Sequence, residues 1–274
     1  MKKPDLRQTQ HELDLTVLVT CYNEAQYIGR TLDNVNSALK TSNLTYEILI
    51  IDDKSKDNSA DIIQEYVDSH PEGDIIFYIN DKNQGLCSNF VDGSYLGRGK
   101  YYRLCCGDDV ESKELLSYVF KHVGLADVII PYPYSREKSL EDKHFARKIL
   151  SRFYIYFANF LSGNNIKYYN GLPIFLRYDV MRWAPNSYGF GFQADLITRL
   201  LDLGITYMQI PWYNVKHTPK KKGATNVLSL RNFFSVGHSL LTIGIRRIRR
   251  MLYPHEAIKP TEIMAPIGCD EFTE

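Results

Sequence analysis

The sequence predicts an α/β fold in which a mostly parallel, Rossmann-like central sheet is covered by helices. In the stretch up to Val110, short β-branched runs alternate with segments whose apolar residues recur at helical spacing. Such alternation is typical of βαβ units, whose strands are parallel. Each predicted strand also ends in polar or acidic residues. In open α/β sheets this carboxyl edge is where ligands bind.

The elements of the first half follow in strict order. Strands are predicted at Leu15–Cys21, Tyr46–Ile51, Ile75–Ile79 and the run that ends in Gly107 before Asp108 and Asp109, with a helix after each of the first three. The first helix presents Ile28, Leu32 and Val35 on one face, and Asn23 is expected to be its N-cap.

The second half is predicted to contain fewer strands and longer helices. Its elements are the helix Glu114–His122, the strand Asp127–Pro131, the aromatic helix Phe145–Leu161, the helix Phe192–Leu203, the strand Thr206–Ile210 and a last helix from Ser229 to about Met251. We expect a flexible arm at 1–12, a globular domain at 13–228 whose halves meet near residue 110, a C-terminal amphipathic helix at 229–252 and a tail at 253–274.

Composition excludes some classes of protein. The 274 residues are 44% hydrophobic and carry a net charge of +1, which does not suggest a general nucleic-acid binder. The five cysteines match no zinc pattern and no secretory signal precedes them, so a cytoplasmic location is expected. The longest mostly apolar stretch, Phe233–Ile245, contains polar residues and is too short to span a membrane.

Acidic and amide side chains end the predicted strands of the first half. Because parallel strands share one carboxyl edge, we expect these residues to gather there: Glu24, Asp52, Asp53, Asn83, Asp108 and Asp109. Magnesium and manganese ions prefer oxygen ligands, and one or two carboxylates with substrate phosphates suffice for Mg²⁺. Asp108 and Asp109 are therefore candidate metal ligands. The alternative at Asp108 is a cap of the helix that begins near Ser112, or a turn.

Four segments together resemble the motifs of family 2 glycosyltransferases. They are Val19–Glu24, Ile51–Asn58, Asn83–Gly85 with Asn89, and Gly99–Asp109. The sequence departs from the family pattern twice. Thr20 stands where proline is usual, and Cys106 stands at the first position of the metal motif, where a cysteine is a softer ligand for Mg²⁺.

The resemblance implies a single GT-A-type domain that binds a nucleotide-diphosphate-sugar donor together with Mg²⁺ or Mn²⁺. The half at about 13–110 would bind the nucleotide and the half at about 111–228 the acceptor. Asp108 would hold the metal, with Asp109 as a second ligand. The nucleotide pocket would comprise Thr20, Tyr22, Glu24, Asp52 or Asp53, Asn83 and Gly85.

The second half resembles dolichyl-phosphate mannosyltransferase-like enzymes, which use polyprenyl-phosphate acceptors. In that pattern a basic loop closes over the diphosphate. The residues of that loop here would be Lys216, His217, Lys220, Lys221 and Lys222. In relatives that act on hydroxyl groups this helix starts with Glu-Asp, and the Asp is the catalytic base; Phe192 and Gln193 stand at those two positions here. Glutamine takes no proton, so a phosphate acceptor, which needs no base, is favoured. Asp195 is an alternative base or the partner of Arg199 in an i,i+4 pair.

We therefore expect a metal-dependent, inverting glycosyltransferase at the inner face of a membrane. The C-terminal helix, with its apolar residues and the basic run Arg246–Arg250, could contact that surface. Three alternatives remain open. One is transfer to a glycan hydroxyl in cell-surface polysaccharide synthesis with Asp195 as base, another is a nucleotidyltransferase, and the third is a non-catalytic relative that binds nucleotide sugars.

Overall fold

The computed structural model describes residues 11–134, 145–185, 189, 191–213, 230–253 and 259–266. The chain divides into two compact units. The first comprises Met1–Asp127 with Leu172–Trp183, and the second comprises Val128–Gly171 with Ala184–Glu274. The nucleotide-binding and acceptor halves were expected to meet near residue 110. The first compact unit continues to Asp127 and also includes Leu172–Trp183. The α/β class and the mostly parallel pairing of strands are confirmed.

Strands and helices alternate through most of the chain. The strands are β1 (Leu13–Cys21), β2 (Tyr46–Asp52), β3 (Ile75–Ile79), β4 (Gly99–Cys106), β5 (Val128–Tyr134), β6 (Ile174–Leu176), β7 (Thr206–Tyr213) and β8 (Thr261–Glu262). The helices are α1 (Ile28–Lys40), α2 (Ser59–Asp68), α3 (Leu86–Leu96), α4 (Lys113–Phe120), α5 (Phe145–Ser162), α6 (Arg177–Met181), α7 (Phe192–Asp202) and α8 (Leu230–Leu252).

The sheet of the first unit places four carboxyl ends at one edge. Its strand order is β3-β2-β1-β4-β6; the first four strands are parallel and β6 runs antiparallel to β4. Cys21 at the end of β1 lies opposite Asp52 at the end of β2. Thr20 lies opposite Cys106 at the end of β4. The residues that follow these strands therefore emerge side by side.

Close helix–sheet packing fixes this scaffold. Strand β1 is buried on both faces from Leu15 to Cys21, as expected of a central parallel strand. Helix α3 docks on β4 because the buried Tyr102 hydroxyl donates a 2.8 Å hydrogen bond to the Phe90 carbonyl. At Gly93 the contact is so close that an added Cβ would lie 2.5 Å from the Tyr102 Oη.

The described residues of the second unit include three parallel strands. Strand β5 pairs with β7, and β7 pairs with β8. Strand β8 lies within residues 253–274, for which a tail was expected from the sequence. The Glu262 side chain anchors this segment, since Gln209 Nε2 donates a 2.8 Å hydrogen bond to its carboxylate. Among the helices in the described ranges, none is long and apolar enough to cross a membrane.

Candidate active site

Backbone hydrogen bonds extend the sheet one residue beyond the strand ends of the first unit. The Asp53 amide donates to the Cys21 carbonyl (2.8 Å), and the Gly107 amide donates to the Thr20 carbonyl (2.9 Å). These bonds bring the β2 and β4 loops to the same edge as the β1 loop. The predicted gathering of acidic residues at one edge therefore holds for the segments that carry Glu24, Asp53 and Asp108.

The buried Asp53 carboxylate holds the loop between β3 and α3. It accepts hydrogen bonds from the backbone amides of Gln84 and Gly85 and from Asn80 Nδ2, each 2.8 Å long. Gly85 has φ +85°, a left-handed conformation that suits glycine. Because Asp53 is buried and already accepts three hydrogen bonds, it shapes the loop that presents the exposed Asn83. The role of Asn80 was not predicted from the sequence.

Asp52 and Asn23 shape the neighbouring loops in the same manner. The buried Asp52 carboxylate accepts from the Ser55 amide (2.8 Å) and the Ser55 hydroxyl (2.5 Å). Asn23 has φ +56°, and its Oδ1 accepts from the Lys56 amide at 2.7 Å. The expectation that Asn23 caps α1 is therefore wrong. The helix begins only at Ile28, and no side chain caps it.

Hydrogen bonds from the backbone at Glu24 and Ala25 connect the β1–α1 loop to the β2–α2 loop. The Glu24 amide donates to Ser59 Oγ (2.9 Å), and the Ala25 amide donates to the Asp57 carboxylate (3.1 Å). Burial raises the pKa of Asp57, but hydrogen bonds from Ser59 and from Ala25 outweigh it and lower the pKa overall. Within this edge Tyr22 is exposed, Glu24 is half-buried and Thr20 is buried, so Tyr22 and Glu24 are the more accessible.

The two adjacent aspartates after β4 have different surroundings. Asp109, with φ +55°, faces α1, where Arg30 Nε lies 3.0 Å from its Oδ2 and Asn34 Nδ2 donates to its Oδ1 at 3.0 Å. Asp108 is half-buried where the chain leaves β4. It does not cap α4, since Ser112 occupies that position and accepts from the Leu115 amide. Asp109 is thus engaged by α1, and the assignment of the metal to Asp108 stays a prediction.

Cys106 is chemically unlike the carboxylate usual at its position. Desolvation, and then the Asp108 carboxylate, raise the pKa of this thiol well above its ordinary value. A cysteine is also a softer and poorer ligand for Mg²⁺ than a carboxylate. Among the described residues no group of three histidine, cysteine or acidic side chains is placed to hold a metal ion. A single carboxylate at Asp108 still fits a cation that takes its other ligands from a diphosphate and water.

A buried ion pair fixes the loop that carries Asp108. The Arg103 side chain on β4 is fully buried, and its Nη2 lies 2.5 Å from Glu111 Oε1. A second bond joins Arg103 Nη1 to Glu111 Oε2 at 3.2 Å. Burial lowers the pKa of Arg103, but the Glu111 and Cys105 side chains outweigh it and raise the pKa overall. The guanidinium therefore remains charged, and the loop is tied to the strand at both ends.

In the second unit the start of α7 carries Gln193 and Asp195, both buried. Arg199 Nε lies 3.1 Å from Asp195 Oδ2, so the i,i+4 pair allowed by the sequence is present. Arg246 from α8 also binds the Asp195 carboxylate through Nη1. Within the described part of the chain, the buried Gln193 Oε1 accepts no hydrogen bond.

A second ionic contact joins α7 to α8. The Arg250 guanidinium pairs with Asp202, and Arg246 Nε lies 3.6 Å from the same carboxylate. Burial raises the pKa of Asp202, while the nearby arginines oppose this rise. The basic run of α8 is thus partly directed inward. The basic loop Lys216–Lys222 lies outside the described residues.

A family model provides the deciding comparison. The model described as "Glycosyl transferase family 2" matches residues 16–182. The chain belongs to glycosyltransferase family 2. The match covers the whole carboxyl edge, from Thr20 to Asp109.

Relatives of this glycosyltransferase include proteins with named activities. A dolichyl-phosphate β-glucosyltransferase from Dictyostelium discoideum is 25% identical over 266 residues, covering 90% of this chain and 81% of the relative. A poly-β-1,6-N-acetyl-D-glucosamine synthase from Staphylococcus aureus is 32% identical over 141 residues, covering 50% and 32%. An uncharacterised Mycobacterium tuberculosis protein is 28% identical over 165 residues. The chain matches 46% of that relative's length.

Solved structures show the fold. A Pyrobaculum calidifontis mannosyltransferase, in complex with GDP-mannose and Mn²⁺, superposes with a TM-score of 0.60 at 14% identity. The match covers 91% of this chain and 66% of that one. Glucosyl-3-phosphoglycerate synthase from Mycobacterium tuberculosis, in complex with UDP, gives a TM-score of 0.56 at 12% identity, covering 86% and 80%. The predicted family and GT-A fold are confirmed, and the activity of this chain and the individual residue roles remain predictions.

Proposed function

We propose that this glycosyltransferase moves a sugar from a nucleotide-diphosphate-sugar to a polyprenyl phosphate at the cytoplasmic face of a membrane, with inversion at the anomeric carbon. Membership of family 2 and the GT-A fold support a nucleotide-sugar donor. The relative from Dictyostelium, which matches most of the chain, is named for a dolichyl-phosphate acceptor. The proposal extends that acceptor class to this chain.

The donor would bind at the carboxyl edge of the first unit. Tyr22, which is exposed, and Glu24, which is half-buried, would contact the base and ribose, whereas the buried Thr20 would line the pocket. Asp53 would act through the loop it holds, which presents Asn83 and the backbone at Gly85. The diphosphate would then lie beside the β4 loop, the one that carries Asp108.

Asp108 would hold the divalent cation, Mg²⁺ or Mn²⁺. Such a cation offsets the negative charge that builds on the diphosphate as it leaves. Asp109 would contribute by position, because its contacts with Arg30 and Asn34 tie the β4 loop to α1. The Arg103–Glu111 pair would restrain the same loop from the strand side.

In the reaction an acceptor oxygen attacks the anomeric carbon opposite the diphosphate. The new carbon–oxygen bond forms as the bond to the diphosphate oxygen breaks, and that oxygen keeps the electron pair. Nucleoside diphosphate is released. The lysines of the segment Lys216–Lys222 would supply positive charge to that leaving group.

The environment of Asp195 favours a phosphate acceptor. A hydroxyl acceptor must lose a proton, and a general base assists that loss. Gln193 is no base, and Arg199 and Arg246 both bind the Asp195 carboxylate. A phosphate acceptor is already anionic near neutral pH and needs no base. This arrangement of α7 is the observation that supports a phosphate acceptor over a glycan hydroxyl.

A product-partition assay tests the proposal. The full chain is incubated with radiolabelled nucleotide sugars, Mn²⁺ and a short-chain polyprenyl phosphate, and the mixture is extracted with organic solvent. We expect label in the organic phase, with release of nucleoside diphosphate, and loss of both in Asp108→Asn. Label confined to the aqueous phase, with transfer to a glycan that disappears in Asp195→Asn, would instead establish the hydroxyl-directed alternative.

A further inference from the structure

Helix α5 exposes a row of large aromatic side chains. Phe153, Tyr156, Phe157 and Phe160 are all exposed, and Phe160 is 71% accessible. The opposite side of the helix is packed, since Ala158 and Ser162 are buried. A single exposed apolar residue is normal on a protein surface, but a row along one helix face marks an interaction surface.

Helix α8 exposes a second row that follows helical spacing. Leu241, Ile245, Ile248 and Leu252 recur at intervals of three and four residues and are all exposed. The two helices pack on each other, because a Cβ added at Gly244 would lie 3.5 Å from Leu161 Cδ2. The exposed rows therefore belong to neighbouring helices of the same unit, and we call them together the α5/α8 face.

The charges of these helices are of one sign. Neither the α5 segment nor the α8 segment contains an aspartate or a glutamate. Arg246 and Arg250 are directed to acidic partners on α7. Arg247 and Arg249 are exposed, and Arg249 lies four residues after Ile245, one turn along the helix and beside the apolar row. The α5/α8 face thus combines exposed aromatic and aliphatic side chains with exposed arginines.

We infer that the α5/α8 face docks on an anionic lipid bilayer, with α5 contributing aromatic anchors beside α8. Apolar helix faces flanked by arginine bind the headgroup region of anionic membranes, and aromatic rings favour that boundary. A second copy of the chain fits the face poorly, because self-association would bring arginines together with no acidic residue from either helix. From the sequence, membrane contact was expected of α8 alone, with all four arginines of Arg246–Arg250 at that surface.

Vesicle binding of the full chain tests the inference without any donor or acceptor, so its outcome is independent of the proposed function. The protein is sedimented with vesicles of phosphatidylcholine, or of phosphatidylcholine mixed with phosphatidylglycerol. We expect binding to the mixed vesicles that weakens as salt is raised. The double variants Phe153→Ser/Phe160→Ser and Ile245→Ser/Ile248→Ser should each weaken partitioning by about tenfold or more.

The matched control is Ile79→Ser. Ile79 is 54% exposed on the edge strand β3, against 58% for Ile248, so the same apolar group is removed from a different surface. The control should bind vesicles like the wild type. Equal binding by the α5 variant and the wild type would overturn the inference. The inference would also be overturned if the wild type did not bind vesicles but dimerised with rising concentration in analytical ultracentrifugation, and if the same variants abolished that dimerisation.

Discussion

At the scale of single residues, the buried guanidinium of Arg103 is the charge on which the β4 loop depends. Arg103 is fully buried on β4, and Glu111 neutralises it through two hydrogen bonds. Removing one partner of a buried ion pair leaves an uncompensated charge, which costs more than the loss of an exposed pair. The Arg103–Glu111 pair therefore determines the position of the Asp108 loop as well as the stability of the unit.

We expect Glu111→Gln to lower the free energy of unfolding by about 3 kcal/mol, because the Arg103 guanidinium would remain buried without a counterion. Urea denaturation measures the change. Glu12→Gln is a suitable control, since Glu12 makes an exposed 3.7 Å ion pair with Arg98 and should matter by less than about 0.5 kcal/mol. Equal effects of the two substitutions would show that the buried pair has no special importance.

Residue roles were the least predictable part of the site. Asp53 and Asp109 end strands of the right type, so the sequence places both at the ligand edge. Whether a carboxylate faces a ligand or a neighbouring loop depends on distant partners. Asp53 is satisfied by Asn80 and by the amide of Gly85, and Asp109 by Arg30. No short-range pattern in the sequence links these partners.

At the scale of elements, close approach of helix and sheet governs stability. Helix α3 crosses β4 at Gly93, where a side chain has no room between Leu18 and Tyr102. An alanine normally stabilises a helix interior relative to glycine. Here the added methyl must displace the buried Tyr102 hydroxyl, which bonds the Phe90 carbonyl.

Gly93→Ala is therefore expected to destabilise the protein by about 1–3 kcal/mol, as overpacking of a core does. Gly237→Ala provides the comparison, because Gly237 lies in α8 with nothing within 4 Å of an added Cβ. That change should leave stability unchanged or raise it by up to about 1 kcal/mol. Thermal unfolding of both variants decides the matter, and a stabilised Gly93→Ala would contradict the close packing described for α3.

The end of α4 gives the fold a pH dependence. Burial lowers the pKa of His122, although its ring nitrogen also lies 2.9 Å from the Tyr118 carbonyl oxygen, which opposes the shift. The folded state thus binds this proton more weakly than the unfolded state, whose histidine pKa is about 6.5. Neutral His122 therefore contributes to the free energy of unfolding above about pH 6.5. This contribution is lost as the pH falls through the lower pKa that His122 has in the folded state.

Replacing His122 by glutamine should flatten this part of the stability profile. We expect the wild type to lose stability between about pH 7 and pH 5 more steeply than His122→Gln. Denaturation midpoints measured across that range compare the two slopes directly. Parallel profiles would mean that His122 contributes nothing to the acid sensitivity of the fold.

Most element boundaries could be predicted because the apolar pattern of the first unit is strong. The predicted strand at Ile75–Ile79 matches β3, and the ends of β1 and β2 differ by at most two residues. Strand β8 was missed because its two residues are exposed and show no periodicity. It forms by pairing with β7, and Gln209 Nε2 donates a hydrogen bond to the Glu262 carboxylate.

At the scale of the whole molecule, the parallel sheet explains why the site could be located from the sequence. The residues that follow parallel strands lie at the carboxyl edge of the sheet. Motifs that are far apart in the chain are therefore close together at that edge. The registers of β1 with β2 and with β4 show this for the first unit. The α5/α8 face could be anticipated only in part, since which side of a helix stays exposed depends on its packing partners.

Binding of nucleoside diphosphates tests the central claim, that Asp108 makes this edge a metal-dependent nucleotide site. Isothermal titration of UDP and GDP is compared with and without Mn²⁺ for the wild type, Asp108→Asn and Asp109→Asn. We predict that Mn²⁺ strengthens binding of one nucleotide by about tenfold or more in the wild type and in Asp109→Asn, and not in Asp108→Asn. A full Mn²⁺ effect in Asp108→Asn would contradict the account.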